Sequence, residues 1–173
     1  MLRRICVLSL GIFLVYGGVA MALELTSLAF NNTEVIPKQY TCQGQDISPP
    51  LRWSGTPEGV KSFALISDDP DAPMGTWVHW VLYDIPAATT ELPEEVAMTL
   101  VLADGSKQGM TDFGRVGYGG PCPPPGKYHR YFFKLYALDT MLNVNAGITK
   151  EELLGKMQGH ILAEAKLMGR YKR

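Results

Sequence analysis

Three stretches of the chain concentrate apolar, β-branched and aromatic residues and are cut off sharply by turn formers. Ser62–Ser67 (S-F-A-L-I-S) closes on Asp68-Asp69-Pro70 and predicts a short buried strand. Thr76–Ile85 (T-W-V-H-W-V-L-Y-D-I) predicts a second, ended by Pro86. Side chains alternate across a strand, which places Trp77, His79, Val81, Tyr83 and Ile85 on one face. His129–Leu138 (H-R-Y-F-F-K-L-Y-A-L) predicts a third, with His129, Tyr131, Phe133 and Leu135 sharing a face. Elsewhere Gly and Pro punctuate the chain at short intervals, which suits strands and turns better than a helical bundle.

One segment has helical spacing. Thr149 and Glu152 form a T-x-x-E capping box, and Leu153, Leu154, Met157, Ile161, Leu162, Ala165 and Met168 follow at helical intervals up to Gly169, a natural stop. An amphipathic helix docked on a sheet is expected, with His160 on it as a surface or core residue. The expected fold class is therefore β-rich, between all-β and α+β, with no internal repeat and no linker dividing it.

The N-terminus changes the later counts. Arg3 and Arg4 precede an apolar run from Ile5 to Tyr16, and Ala20-Met21-Ala22 is an A-x-A cleavage signal. A membrane anchor needs roughly 20 apolar residues, so residues 1–22 are expected to be a cleaved signal peptide, leaving one domain over 23–173 in the periplasm or outside the cell. No later apolar run is long enough to cross a membrane. Loss of Arg3 and Arg4 leaves 14 basic and 17 acidic residues, a net charge of −3. No basic stripe or run of like charges is visible along that chain, so nucleic acid is not the expected partner. Cys6 leaves with the signal, and Cys42 and Cys122 remain, both in Gly/Pro-rich loops. In an oxidising compartment they suit a disulfide; two separate thiols are the alternative.

Three segments hold polar groups that packing does not require. Asp68-Asp69-Pro70-Asp71-Ala72-Pro73 puts three carboxylates in four residues, a repulsion that calls for a cation, although Asp and Pro also make turns. His79 sits mid-strand, where a satisfied core histidine is the plain reading. Gly117–Gly126 is rich in glycines that can present backbone N–H groups to an anion and in prolines that hold the loop rigid; a stiff connection is the plain reading there.

Taken in order, D-P-D-A-P, then H-W, then G-P-C-P-P running into H-R-Y, the set resembles the phosphatidylethanolamine-binding protein (PEBP) family, and more narrowly its bacterial and archaeal Raf-kinase-inhibitor-like branch. Thr41-Cys42-Gln43-Gly44, Ile47–Trp53, Thr111-Asp112-Phe113-Gly114 and Tyr136-Ala137-Leu138-Asp139 match as well, and the resemblance runs from about Thr26 to Lys172. It implies an antiparallel two-sheet Greek-key β-structure with peripheral helices and a small anion pocket. Asp69, Asp71, His79, Gly120, Pro121, His129 and Tyr131 would line that pocket; whether Tyr171 reaches it is open. Cys122 departs from the eukaryotic loop pattern, and kinase inhibition does not suit an exported protein.

The expected function is binding of a small anionic or zwitterionic ligand, such as a phosphoethanolamine head group. Carboxylates beside a bare phosphate oppose it, unless they hold a histidine protonated or receive the ammonium of a zwitterion. An inhibitor of another exported protein, for example a protease, is the alternative. Enzyme chemistry is not expected: G-x-S-x-G, H-E-x-x-H and C-x-x-C are all absent, although an Asp/His metal site is geometrically conceivable. No cofactor is expected.

Overall fold

The structure, a computed structural model, describes residues 22–173; the expected signal peptide lies outside them, save for Ala22. Eight strands and one α-helix follow in chain order among the described residues, besides a single 3-10 turn over Lys38–Tyr40: β1 (Glu24–Ser27), β2 (Leu51–Ser54), β3 (Ser62–Asp69), β4 (Trp77–Pro86), β5 (Glu91–Leu92), β6 (Lys107–Gln108), β7 (His129–Leu138), α1 (Lys150–Met157) and β8 (Ile161–Tyr171). They form two antiparallel sheets, one in the order β1-β2-β5 and one in the order β6-β4-β3-β7-β8.

The central strand, β3, is buried along its whole length because both faces of its sheet are covered. Phe63 and Leu65 face the smaller sheet and pack with Leu25, Leu51, Trp53 and Leu92. Ala64 and Ile66 face the other way and pack with Leu153 and Met157 of α1. Each large apolar side chain removed from water in these layers contributes about 1.5–3 kcal/mol.

The predicted face of β4 holds only in part. Ser67 pairs with Trp80 while Asp68 pairs with Val78, and Leu65 pairs with Leu82 while Phe63 pairs with Ile85. At both places β4 has one residue more than β3, and each bulge resets the alternation. Trp77, His79 and Ile85 therefore lie on the side of the larger core, whereas Val81 and Tyr83 pack toward α1. Asp84, at the second bulge, adopts a φ of 53°.

The C-terminal segment departs further from expectation. The capping box is present, with Thr149 accepting from the Glu152 N–H, but α1 stops at Met157. Gly159 takes a φ of 82° in the following turn, and the chain returns as β8, paired with β7 over Ile161–Tyr171. Ala165, Leu167, Gly169 and Tyr171 are buried at a spacing of two, while Ile161 and Leu162 are 43% exposed. Residues 161–171 satisfy both periods on paper. The ladder offered by β7, together with the breaker Gly159, decides for the strand. Gly169 is no helix stop: a side chain there would strike Ile36 and, at 2.9 Å, Phe30. His160 sits in the turn, its Nδ1 donating to Asp139 at 2.8 Å.

Candidate functional site

The three crowded carboxylates are each answered separately. Asp68 Oδ2 accepts from Lys134 at 2.8 Å and Lys150 at 2.7 Å on the α1 side of the sheet. Asp69, one residue on, faces the opposite side; its Oδ2 accepts from His129 Nδ1 at 2.8 Å, and both side chains are buried. Its Oδ1 accepts the Asp71 N–H at 2.8 Å, so the segment is also the turn that its Asp and Pro content suggests. Asp71 accepts two bonds from the Arg130 guanidinium, at 2.9 and 2.7 Å, and one from the Arg130 N–H at 3.0 Å. The hydrogen bonds from Arg130 hold the Asp71 carboxyl down at about 2.

Asp69 and His129 form part of the wall of a cavity of about 340 Å³. His79, Tyr131, Trp77 and Phe113 enclose it, with Pro73, Met74, Pro123 and Pro124 at its apolar rim. The rings meet edge to face: His79 lies 5.2 Å from both Phe113 and Tyr131, and Trp77 lies 5.6 Å from Phe113. The first bulge of β4 is what turns His79 toward Tyr131. His79 Nδ1 lies 2.6 Å from the Gly119 carbonyl, which can only accept, so that nitrogen carries the proton. Burial outweighs this bond and the nearby carboxylates and lowers the pKa of the imidazole, leaving Nε2 a bare acceptor near neutral pH. Tyr131 is 1% exposed, and its hydroxyl makes no well-formed hydrogen bond among the described residues. Burial, then the charge of Asp69 and the hydroxyl's approach to that carboxylate, push it far above the ordinary tyrosine range, so it stays a donor.

This sequence and fold match known proteins. The family model for phosphatidylethanolamine-binding proteins covers residues 26–172. The chain belongs to the phosphatidylethanolamine-binding protein family. It is 54% identical over 151 residues to a UPF0098 protein of Methanothermobacter thermautotrophicus, across 87% of this chain and 99% of that one. A UPF0098 protein of Aquifex aeolicus is 55% identical over 159 residues, across 91% of each chain. A crystal structure of a PEBP homologue from Chlamydia trachomatis superposes with a TM-score of 0.81 at 44% identity, covering 88% of this chain and 98% of that one. E. coli YbcL, described as a member of the mammalian PEBP family, gives 0.81 at 35% identity over 88% and 99%.

Within this PEBP-family fold, the residues that the resemblance implied divide in two. Asp69, His79, His129 and Tyr131 line the cavity. Asp71, Gly120 and Pro121 do not. Asp71 is held outside by Arg130, and the Gly120 N–H, expected to face an anion, donates instead to Asp46 Oδ1 at 2.7 Å. A side chain at Gly120 would run into the Tyr40 carbonyl and lie 2.5 Å from that Asp46 oxygen, so the glycine serves loop packing. Tyr171 lies outside the cavity, its hydroxyl on Gln43.

Cys42 and Cys122 are bridged, with Cα atoms 5.4 Å apart, and Cys122 lines the cavity. Trp77, Phe113 and Met74 were not among the expected site residues. Phe113 lies in the T-D-F-G motif, and only the fold brings that loop beside β4. Among the described residues, no group of three or more His, Cys, Asp or Glu side chains is placed to hold a metal ion, and none of their helices is long and apolar enough to cross a membrane.

Proposed function

We propose that this protein is an exported binding protein for small phosphorylated or zwitterionic molecules, held in the cavity between Asp69, His79, His129 and Tyr131. The observation that carries the reading is the Tyr131 hydroxyl, buried and protonated beside that cavity near the Asp69 carboxylate, with no well-formed hydrogen bond among the described residues. A buried donor left unpaired costs about 1–3 kcal/mol, which a ligand oxygen would relieve.

No Lys or Arg is among the residues lining the cavity. An anionic group would therefore rest on the Tyr131 hydroxyl and on histidine N–H groups, and its arrival would favour a proton on His79 Nε2. Asp69, paired to His129, supports such a donor. The ammonium of a zwitterion would find the ring of Trp77 in the cavity wall. The names of related proteins point to phosphatidylethanolamine, which carries both charges. Family membership also favours a binding protein over an enzyme.

Titration calorimetry with phosphoethanolamine, inorganic phosphate and acetate tests the reading. Binding in the roughly micromolar to millimolar range is expected for so small a ligand. It should weaken in both Tyr131→Phe and His79→Ala while each variant stays folded. Heat from none of the three ligands, or equal affinity in parent and variants, would remove the cavity from consideration.

A further inference from the structure

The outer face of β7 and β8 carries a second feature, independent of the cavity. Arg130, Phe132 and Lys134 of β7 and Lys166, Met168 and Arg170 of β8 point away from the larger core. The register sets Arg130 opposite Arg170 and Lys134 opposite Lys166, with Phe132 opposite Met168 between them. Arg130, Lys134 and Lys166 lie 5.9, 5.8 and 5.2 Å from the Phe132 ring centre. Arg170 and Lys172 lie 5.3 and 4.9 Å from that of Tyr128.

Like charges directly opposite each other destabilise a sheet. Asp71 and Asp68 answer Arg130 and Lys134. Among the described residues, no carboxylate forms an ion pair with Lys166, Arg170 or Lys172. A chain with net charge −3 over residues 23–173 thus gathers excess cations on one narrow face. Two-residue alternation hides this in the linear sequence, where no run of like charge appears.

The shape selects the partner. α1 covers the same side of the sheet over Ala64, Ile66 and Tyr136 but leaves Phe132 and Met168 outside its core. The uncovered part is a ledge two strands wide and, from Tyr128 to Lys134, about 20 Å long. A helix standing beside it keeps a flat bilayer off. Phe132 and Tyr128 are already stacked by cations, so they give bases no bare platform. The ledge has no unstacked aromatic anchor of the kind a folded protein partner uses. We propose that it binds a linear anionic polysaccharide, whose charged groups would meet the paired cations Arg130/Arg170 and Lys134/Lys166, set about 13 Å apart along the strands, and Lys172 about 7 Å beyond Arg170.

Heparin is the probe. Its binding to the parent protein should weaken steeply with salt. K166E/R170E/K172E should lose about tenfold or more in affinity and flatten the salt dependence. The milder R170Q/K172Q should move in the same direction, and carries the test if the triple variant fails to fold. R52Q/K61Q makes the same change in net charge as R170Q/K172Q, on β2 of the smaller sheet and just before β3, and should stay within about twofold of the parent. The proposal is overturned if the parent does not bind heparin, if control and ledge variants lose equally, or if R170Q/K172Q binds as the parent does. Equal or tighter binding of oligo-dT or phosphatidylglycerol vesicles also overturns it, by assigning the ledge to a nucleic acid or a membrane.

Discussion

Asp69 and His129 meet at 2.8 Å, each at the end of a neighbouring strand and each almost wholly shielded from water. The strands are β3 and β7, which run side by side through the larger sheet. The pair ties the turn over residues 69–73 to the start of β7. It also leaves the second imidazole nitrogen of His129 outside that bond, in a side chain that lines the cavity.

Removing the carboxylate tests that joint. Asp69→Ala leaves His129 Nδ1 and the Asp71 N–H without their acceptor, so a loss of about 2–3 kcal/mol is expected. Urea unfolding of parent and variant measures it; a difference below about 0.5 kcal/mol would mean water satisfies both donors.

His79 gives the fold a pH dependence. Its folded pKa lies below that of an unfolded histidine because burial disfavours the charged form. The unfolded state therefore binds more protons, and stability is full above about 6.5 and falls as pH drops below it. His79→Gln should flatten the melting temperature between pH 7 and pH 5. If an anion draws a proton onto His79, phosphate should bind more tightly at the lower pH in the parent and not in the variant.

Asp71 acts in a lower window. Its folded value of about 2 lies below the ordinary 3.8. The stability it adds is present above the ordinary value and is lost as pH falls through the folded one. Arg130 is half exposed, so water screens the pair and the effect is small. Asp71→Asn should remove part of the parent's acid-induced loss of stability between these two values, as read by circular dichroism, with little effect on ligand affinity.

The Cys42–Cys122 bridge closes a segment with a sequence separation of 80 and joins the loop after Tyr40 to the wall of the cavity. Reduction should cost about 3–5 kcal/mol on a chain-entropy basis. Urea melts with and without reductant, and of Cys42→Ser/Cys122→Ser, give the number. Loss of ligand affinity in the folded reduced protein would show that the bridge also shapes the cavity.

Gly169 separates the strand from the helix that the sequence suggested. In a helix, Gly169→Ala would stabilise by up to about 1 kcal/mol. In β8 the added methyl meets Ile36 and Phe30, and a loss of about 1–3 kcal/mol is expected. Thermal melts of the single variant decide the sign.

Local chemistry determined much of this protein in the sequence itself. β3 and β7 are legible because their apolar and aromatic residues end at strong turn signals, and the start of α1 because a capping box needs only Thr149 and Glu152. Four cavity residues, Asp69, His79, His129 and Tyr131, were reached through the ordered motifs that carry the family resemblance. Only the tertiary structure decided the rest. Residues 161–171 fit two periods, and the free edge of β7 chose between them. The bulges of β4 set which way His79 points, because a strand's register depends on its partner. Asp46 took the Gly120 N–H from a distant loop, and the cations of β7 and β8 became a ledge only when paired across the sheet. Hydrogen bonds and charges act over a few ångströms of space, whatever the distance along the chain. The sequence could therefore name these groups but not say which of them would meet.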